Sequence, residues 1–145
     1  MTLAFWDSSA FVKLLVDEAG SEQAERLWNN PSPAAASRLV VPEVSAALAA
    51  AGRGGRITDA SLISALREWR RFEAEIDFFE LTPEVAGSAA DLAGAHLLSG
   101  ADAIHLATAL ALRDSELVLA TWDRRLASAA AAEGLSVVPG GSVET

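Results

Sequence analysis

Short apolar runs alternate along this chain with longer stretches whose apolar residues recur at helical spacing. That alternation leaves few folds open. A strand that must be followed by a crossover helix before the next strand builds a mainly parallel sheet with helices on its faces. Leu3 to Trp6 reads as the first strand. Phe11, Leu14 and Leu15 predict a helix from Ser9 to about Val16, Ser21 to Trp28 a second, and Asn29 to Pro33 a break. A brief extended segment at Ala35 to Ser37 leads into a helix from about Arg38 to Ala51, where Pro42 is tolerable because it lies in the first turn. Gly52, Gly54 and Gly55 are expected to stop that helix. Thr58 or Asp59 can cap the next, which runs to about Glu75 with Leu62, Leu66, Trp69 and Phe72 as its apolar stripe. Ile76 to Leu81 is the next strand, and Thr82 with Pro83 starts another helix. Asp102 is expected to cap a helix ending near Arg113, Leu117 to Thr121 is a strand, Arg124 to Glu133 a helix, and Leu135 to Val138 closes the sheet. The alanine-rich run Ala127 to Ala132 is a good helix former, and only the last few residues look loose.

A chain of 145 residues that is 51% hydrophobic suffices for one well-buried core, so a single domain over 1–145 is expected. No apolar stretch reaches the roughly eighteen residues of a membrane span, and the N-terminus lacks a signal-peptide pattern, which together predict a cytoplasmic protein. The absence of cysteine excludes a disulfide framework and a thiolate metal site. With His96 and His105 the only histidines, any metal would be held mainly by carboxylates. A net charge of −9 argues against coating nucleic acid by electrostatics alone. It does not argue against a nuclease, in which acids hold cations beside a local basic patch. Arg53, Arg56, Arg67, Arg70 and Arg71 are candidates for that patch, or are simply a solvated helix face.

Four carboxylates stand out by position. Asp7 and Asp123 each follow an apolar strand and precede a helix, each with a tryptophan before it, Trp6 and Trp122. Both should project from the carboxyl edge of the sheet, where open α/β sheets bind ligands. Glu43 and Asp102 begin two further helices that could pack around the same edge. Helix capping explains any one of them alone, since an acid at a helix start accepts backbone N–H bonds and favours the dipole. Joint placement suggests more: several carboxylates within about 4–6 Å repel one another unless a cation joins them. Mg²⁺ or Mn²⁺ prefers such oxygen donors, and can activate water for phosphodiester hydrolysis without a histidine or cysteine nucleophile.

Four segments then carry a resemblance: Asp7-Ser8-Ser9-Ala10-Phe11-Val12-Lys13, Val41-Pro42-Glu43-Val44-Ser45-Ala46-Ala47-Leu48, Ala101-Asp102-Ala103-Ile104-His105-Leu106-Ala107-Thr108-Ala109, and Ala120-Thr121-Trp122-Asp123-Arg124-Arg125-Leu126. In kind, order and spacing they resemble the PIN domains, and among them the VapC-type toxins, over essentially the whole chain; the third segment is the most specific. The resemblance implies a three-layer α/β/α domain around a central mainly parallel sheet. It implies that Asp7, Glu43, Asp102 and Asp123 form an acidic site for one or two Mg²⁺ or Mn²⁺ ions, with Asp7 and Asp102 the most direct ligands and Ser9 and Thr121 the supporting hydroxyls. It further implies cleavage of single-stranded RNA by water, a homodimer, and inhibition by a cognate antitoxin. One departure is Leu97-Leu98-Ser99-Gly100 before Asp102, which lacks the basic residue often found there in relatives.

Around that site, His105 shares a helix face with Asp102 and is expected to be a hydrogen-bonded packing residue or, less favourably, a substrate contact. Trp6 and Trp122 can be core or can stack a base. Lys13 and Arg124 can meet phosphate or lie on a helix surface. A receiver domain or a dehalogenase-like phosphatase is disfavoured, because the only lysine is Lys13 and no Asp-x-Asp begins at Asp7. A PIN nuclease outside any toxin pair and a non-catalytic PIN binding module remain the alternatives.

Overall fold

The structure is a computed structural model that describes residues 2–113 and 116–140. The carboxyl-terminal residues expected to be loose, 141–145, lie outside that range. In chain order the elements are β1 (Leu3–Trp6), α1 (Ser8–Leu15), α2 (Ser21–Asn29), β2 (Ala34–Ser37), α3 (Val40–Arg53), α4 (Asp59–Glu73), β3 (Ile76–Phe79), α5 (Pro83–His96), α6 (Gly100–Ala111), β4 (Leu117–Ala120), α7 (Arg124–Ala132) and β5 (Ser136–Val138). The strands form one sheet in the order β3-β2-β1-β4-β5, and every pairing is parallel. Among the described residues no helix is long and apolar enough to cross a membrane.

Side chains alternate across a strand, so each central strand feeds two cores. On one face Ala4, Trp6, Ala36 and Ala120 pack with Phe11 of α1, Ala24 of α2, Val44 and Leu48 of α3 and Trp69 of α4. On the other, Phe5, Ala35, Leu117 and Leu119 pack with Ala89 of α5, Leu106 and Ala109 of α6 and Leu126 of α7. The result is the expected three-layer α/β/α arrangement. Trp6 is core, stacked on Phe11 at 5.2 Å with Trp28 edge-on at 5.6 Å. Burying a side chain of this kind contributes about 1.5–3 kcal/mol.

Several boundaries differ from the sequence reading. Asp102 is not the cap of α6: Ser99 is, its hydroxyl accepting the Asp102 N–H at 3.2 Å, so Asp102 sits inside the first turn. Gly52 does not stop α3. It lies within the helix, where a Cβ would stand 3.0 Å from Leu62 Cδ2 on α4, and the chain turns only at Gly54 and at Gly55, whose φ is +74°. α3 begins at Val40 rather than Arg38, because the Arg38 N–H still bonds to Phe79 O and the Leu39 N–H to the Ser37 hydroxyl. β3 stops at Phe79, the last residue that has a partner on β2.

Candidate active site

The strand order reverses at β1: β2 and β3 lie on one side, β4 and β5 on the other. Such a switch point opens a crevice beyond the carboxyl ends of the strands. Asp7 leaves β1 there, its N–H bonded to Ala120 O of β4 at 3.2 Å. It is the N-cap of α1, with Oδ1 accepting from the Ala10 N–H at 2.9 Å. The same oxygen accepts from the Ser9 hydroxyl at 2.7 Å, and Oδ2 accepts from the Thr121 hydroxyl. Asp7 is 3% exposed. Burial raises its pKa, and the Thr121 bond, the attraction of His105, the Ser9 bond and the Ala10 N–H offset this in part. Each carboxylate oxygen offers two lone pairs, so Oδ1 is filled while Oδ2 keeps one place open.

Ser9 and Thr121 do more than hold that carboxylate. Ser9 Oγ accepts the Trp122 N–H at 2.9 Å, and Thr121 Oγ1 accepts the Asp123 N–H at 3.0 Å. Each hydroxyl has one hydrogen, already given to Asp7, so the 3.3 Å approach of the two oxygens is a contact without a proton to share. Asp123 caps α7 through the Leu126 N–H at 2.9 Å. The two Trp-Asp exits are thus bound to each other side by side.

Glu43, in the first turn of α3, reaches across the sheet edge. Its Oε1 accepts from the Ser8 hydroxyl of α1 at 2.6 Å and lies 2.6 Å from His105 Nε2 of α6. Burial alone would raise its pKa, but the His105 and Ser8 hydrogen bonds and the attraction of His105 together hold it below the usual carboxylate range. Asp102 behaves oppositely. Burial and then the charge of Asp123 raise its pKa, His105 and the Ser99 hydroxyl pull it back, and the charge of Glu43 adds to the rise. Asp102 thus feels the charges of Asp123 and Glu43, and Asp7, Glu43 and Asp102 each feel His105.

Among the described residues no three His, Asp or Glu side chains are gathered into a ready-made metal cage. The donor set nevertheless fits a hydrated divalent cation. It consists of hard carboxylate oxygens, a lone pair of Asp7 is open, and the mutual repulsion at Asp102 is of the kind a cation relieves. Mg²⁺ keeps several of its waters, so the acids need not all touch it.

The other sequence candidates separate. Trp122 is partly buried against Gly20, where φ is +96° and a Cβ would stand 2.5 Å from Trp122 Nε1. Lys13 pairs with Glu18 at 3.0 Å and His96 with Glu133 at 2.7 Å. Arg124 is exposed beside Asp123 and forms no salt bridge among the described residues. Of the five arginines, Arg53, Arg67, Arg70 and Arg71 lie on α3 and α4 and Arg56 in the turn between them; Arg56 and Arg70 line different grooves, and Arg71 pairs with Glu68 at 3.2 Å. Sequence reasoning passed over Ser8 and Ser99; their signal was a hydroxyl just before or at a helix start next to an acid.

Comparison with known proteins follows the same lines. The PIN domain family model matches residues 4–132. Ribonuclease VapC49 of Mycobacterium tuberculosis (strain ATCC 25618 / H37Rv) is 51% identical over 139 residues, 96% of each chain. Among solved structures, PAE2754 from Pyrobaculum aerophilum superposes with a TM-score of 0.68 at 22% identity, over 99% of this chain and 88% of that one. A toxin-antitoxin complex from Klebsiella pneumoniae gives 0.64 at 22% identity, over 94% and 93%.

Proposed function

The chain belongs to the PIN-domain family, and from that premise we propose that it is a metal-dependent endoribonuclease, acting as a single domain and as the toxin of a toxin–antitoxin pair. The observation that carries this reading is the pairing of the two strand exits. Asp7 and Asp123 are bridged by the Thr121 hydroxyl, with Asp102 close enough to Asp123 for the two charges to repel. A site that only capped helices would have no use for that repulsion.

Asp7, Glu43, Asp102 and Asp123 would hold one or two Mg²⁺ or Mn²⁺ ions. When bound, such an ion lowers the pKa of its water and offsets charge on the phosphate. The chain's own residues set the stage for this. Ser9, Thr121 and the Ala10 N–H fix Asp7 and leave one lone pair of Oδ2 without a donor. Glu43 stays ionised through its hydrogen bonds, and Asp102 and Asp123 lie partly exposed at the mouth. Arg124 is the nearest uncommitted cation in sequence to these acids and is the proposed phosphate contact.

RNA as substrate is supported by the ribonuclease name of the 51% identical relative. A cognate antitoxin, a homodimer and a cytoplasmic setting are supported by the family resemblance, and the fold is that of a chain solved in a toxin-antitoxin complex. Induced expression in a bacterial host tests the toxin reading. The parent chain should arrest growth, Asp102→Asn should not, and a partner encoded beside it should restore growth. Unimpaired growth at high levels of folded parent chain would set the toxin reading aside.

A further inference from the structure

Among the described residues, one buried side-chain nitrogen has no hydrogen-bond partner: Nδ1 of His105. The ring is 1% exposed, and its other nitrogen, Nε2, lies 2.6 Å from Glu43 Oε1. A residue placed there only to fill buried space would be better served by leucine or methionine, which strand no polar atom. The ring is kept for what Nε2 does.

We propose that His105 is a positioning residue of the acidic site, which together with Ser8 fixes Oε1 of Glu43 and so presents Oε2 toward the cation and the RNA. The inference rests on the metal-dependent reading above. At neutral pH a glutamate is ordinarily ionised, and an ionised carboxylate only accepts hydrogen bonds, so the 2.6 Å contact places the hydrogen on Nε2. The Ser8 hydroxyl donates to the same oxygen at 2.6 Å. Two donors fill the two lone pairs of Oε1, whereas no hydrogen bond from the described residues goes to Oε2. The Glu43 side chain is 30% exposed, so that free oxygen has a way out.

The three contributing residues come from helices on both faces of the sheet: Ser8 from α1, Glu43 from α3 and His105 from α6. A glutamate has three rotatable bonds, and this clamp removes that freedom before any ligand arrives. The same geometry assigns His105 no direct role in catalysis. Nε2 has no lone pair to give a metal or a proton, and Nδ1 is enclosed by protein.

The test uses the full chain freed of any partner, with Mn²⁺ as the probe. Its affinity is measured by calorimetry without RNA, beside thermal unfolding and the nitrogen spectrum of the imidazole. His105→Leu should weaken Mn²⁺ binding by about ten- to a hundredfold, the usual range when a residue that orients a ligand is lost, while the chain still unfolds cooperatively. His105→Gln, whose amide nitrogen can reach nearly the same point, should recover most of that loss, and Ser8→Ala should give a smaller one. Combined with Glu43→Gln, His105→Leu should add nothing further to the loss of affinity. The parent spectrum should show hydrogen on Nε2.

Parent-like Mn²⁺ binding by folded His105→Leu, a glutamine variant as impaired as the leucine one, or hydrogen on Nδ1 would each overturn the inference alone. A parent chain that takes up no Mn²⁺ would instead overturn the reading on which it rests. Should His105→Leu fail to fold, the glutamine and Ser8→Ala variants and the spectrum decide the question.

Discussion

Thr121 donates its hydroxyl hydrogen to Oδ2 of Asp7, joining the exits of two adjacent strands across 114 residues of sequence. Thr121 is fully buried and Asp7 nearly so, which makes this bond a matter of stability as well as of function. Thr121→Val keeps the shape but leaves Oδ2 and the Asp123 N–H without their partner. It should destabilise the chain by about 1–3 kcal/mol, as expected when a buried polar group loses its hydrogen bond. Thr121→Ser should cost much less. Urea unfolding of the three proteins measures the difference; a valine variant as stable as the parent would mean that water replaces the hydroxyl.

Asp7→Asn should abolish RNA cleavage without unfolding the chain. The amide oxygen can still accept from Ala10 N–H and Ser9, and Thr121 can turn to accept from the amide nitrogen. Because the charge of Asp7 is costly to bury, the variant without divalent cation should melt at or above the parent temperature. A large loss of melting temperature would favour helix capping as the main role of Asp7.

The pH dependence follows from the direction of the shifts. Asp7 and Asp102 have pKa values raised above the ordinary 3.8, so the folded chain binds their protons more tightly than the unfolded one. Stability without cation should therefore fall as pH rises from that ordinary value through the raised folded values. Glu43 has a lowered pKa and opposes this trend only at the acid end, where its stabilisation is lost as pH falls. Asp7→Asn and Asp102→Asn should each flatten the decline. Melting curves across pH in EDTA check this, and a decline equally steep in both variants would contradict it.

A bound cation should reverse that decline. Mn²⁺ or Mg²⁺ at about a hundredfold over its dissociation constant adds about 2.7 kcal/mol to the folded state. The gain should be greater at neutral than at acid pH, since protons compete for the same oxygens. EDTA should remove it, and Asp102→Asn should lose most of it.

Gly20 is a distant route into the site. Its φ of +96° and the 2.5 Å a Cβ would leave to Trp122 Nε1 mean that Gly20→Ala must strain the backbone and push Trp122. Trp122 N–H is bonded to Ser9, so the displacement reaches the hydroxyl that orients Asp7. A loss of about 1–3 kcal/mol in stability is expected, with a fall in RNA cleavage. Preserved stability and cleavage would show that the indole can move independently of its backbone.

Much of this molecule was legible in the chain because period and edge go together. The alternation of apolar runs and helical stretches placed the strands to within two residues, and β1 as observed, since a four-residue strand bounded by Asp7 leaves little choice. The four acids could be singled out because each starts a helix. Harder to read was which atom does the capping at α6: Ser99 and Asp102 both satisfy the pattern, and only backbone direction decides for Ser99. The partners of Glu43 were illegible for a different reason. Ser8 and His105 are 35 and 62 residues from it, and helices on both faces of the sheet must be in place before the three meet. Spacing along α3 and α4 likewise says nothing of which groove each arginine lines.

The central claim, that the acids at the β1 and β4 exits serve a metal-dependent ribonuclease, is tested most directly by one experiment. Purified chain free of any partner is incubated with total cellular RNA in Mg²⁺ or Mn²⁺, in EDTA, and with Asp102→Asn in parallel. The account predicts discrete cuts with either ion, none in EDTA and none with the variant. Cleavage that survives both EDTA and the substitution, or its absence with well-folded, metal-supplied chain, would contradict it.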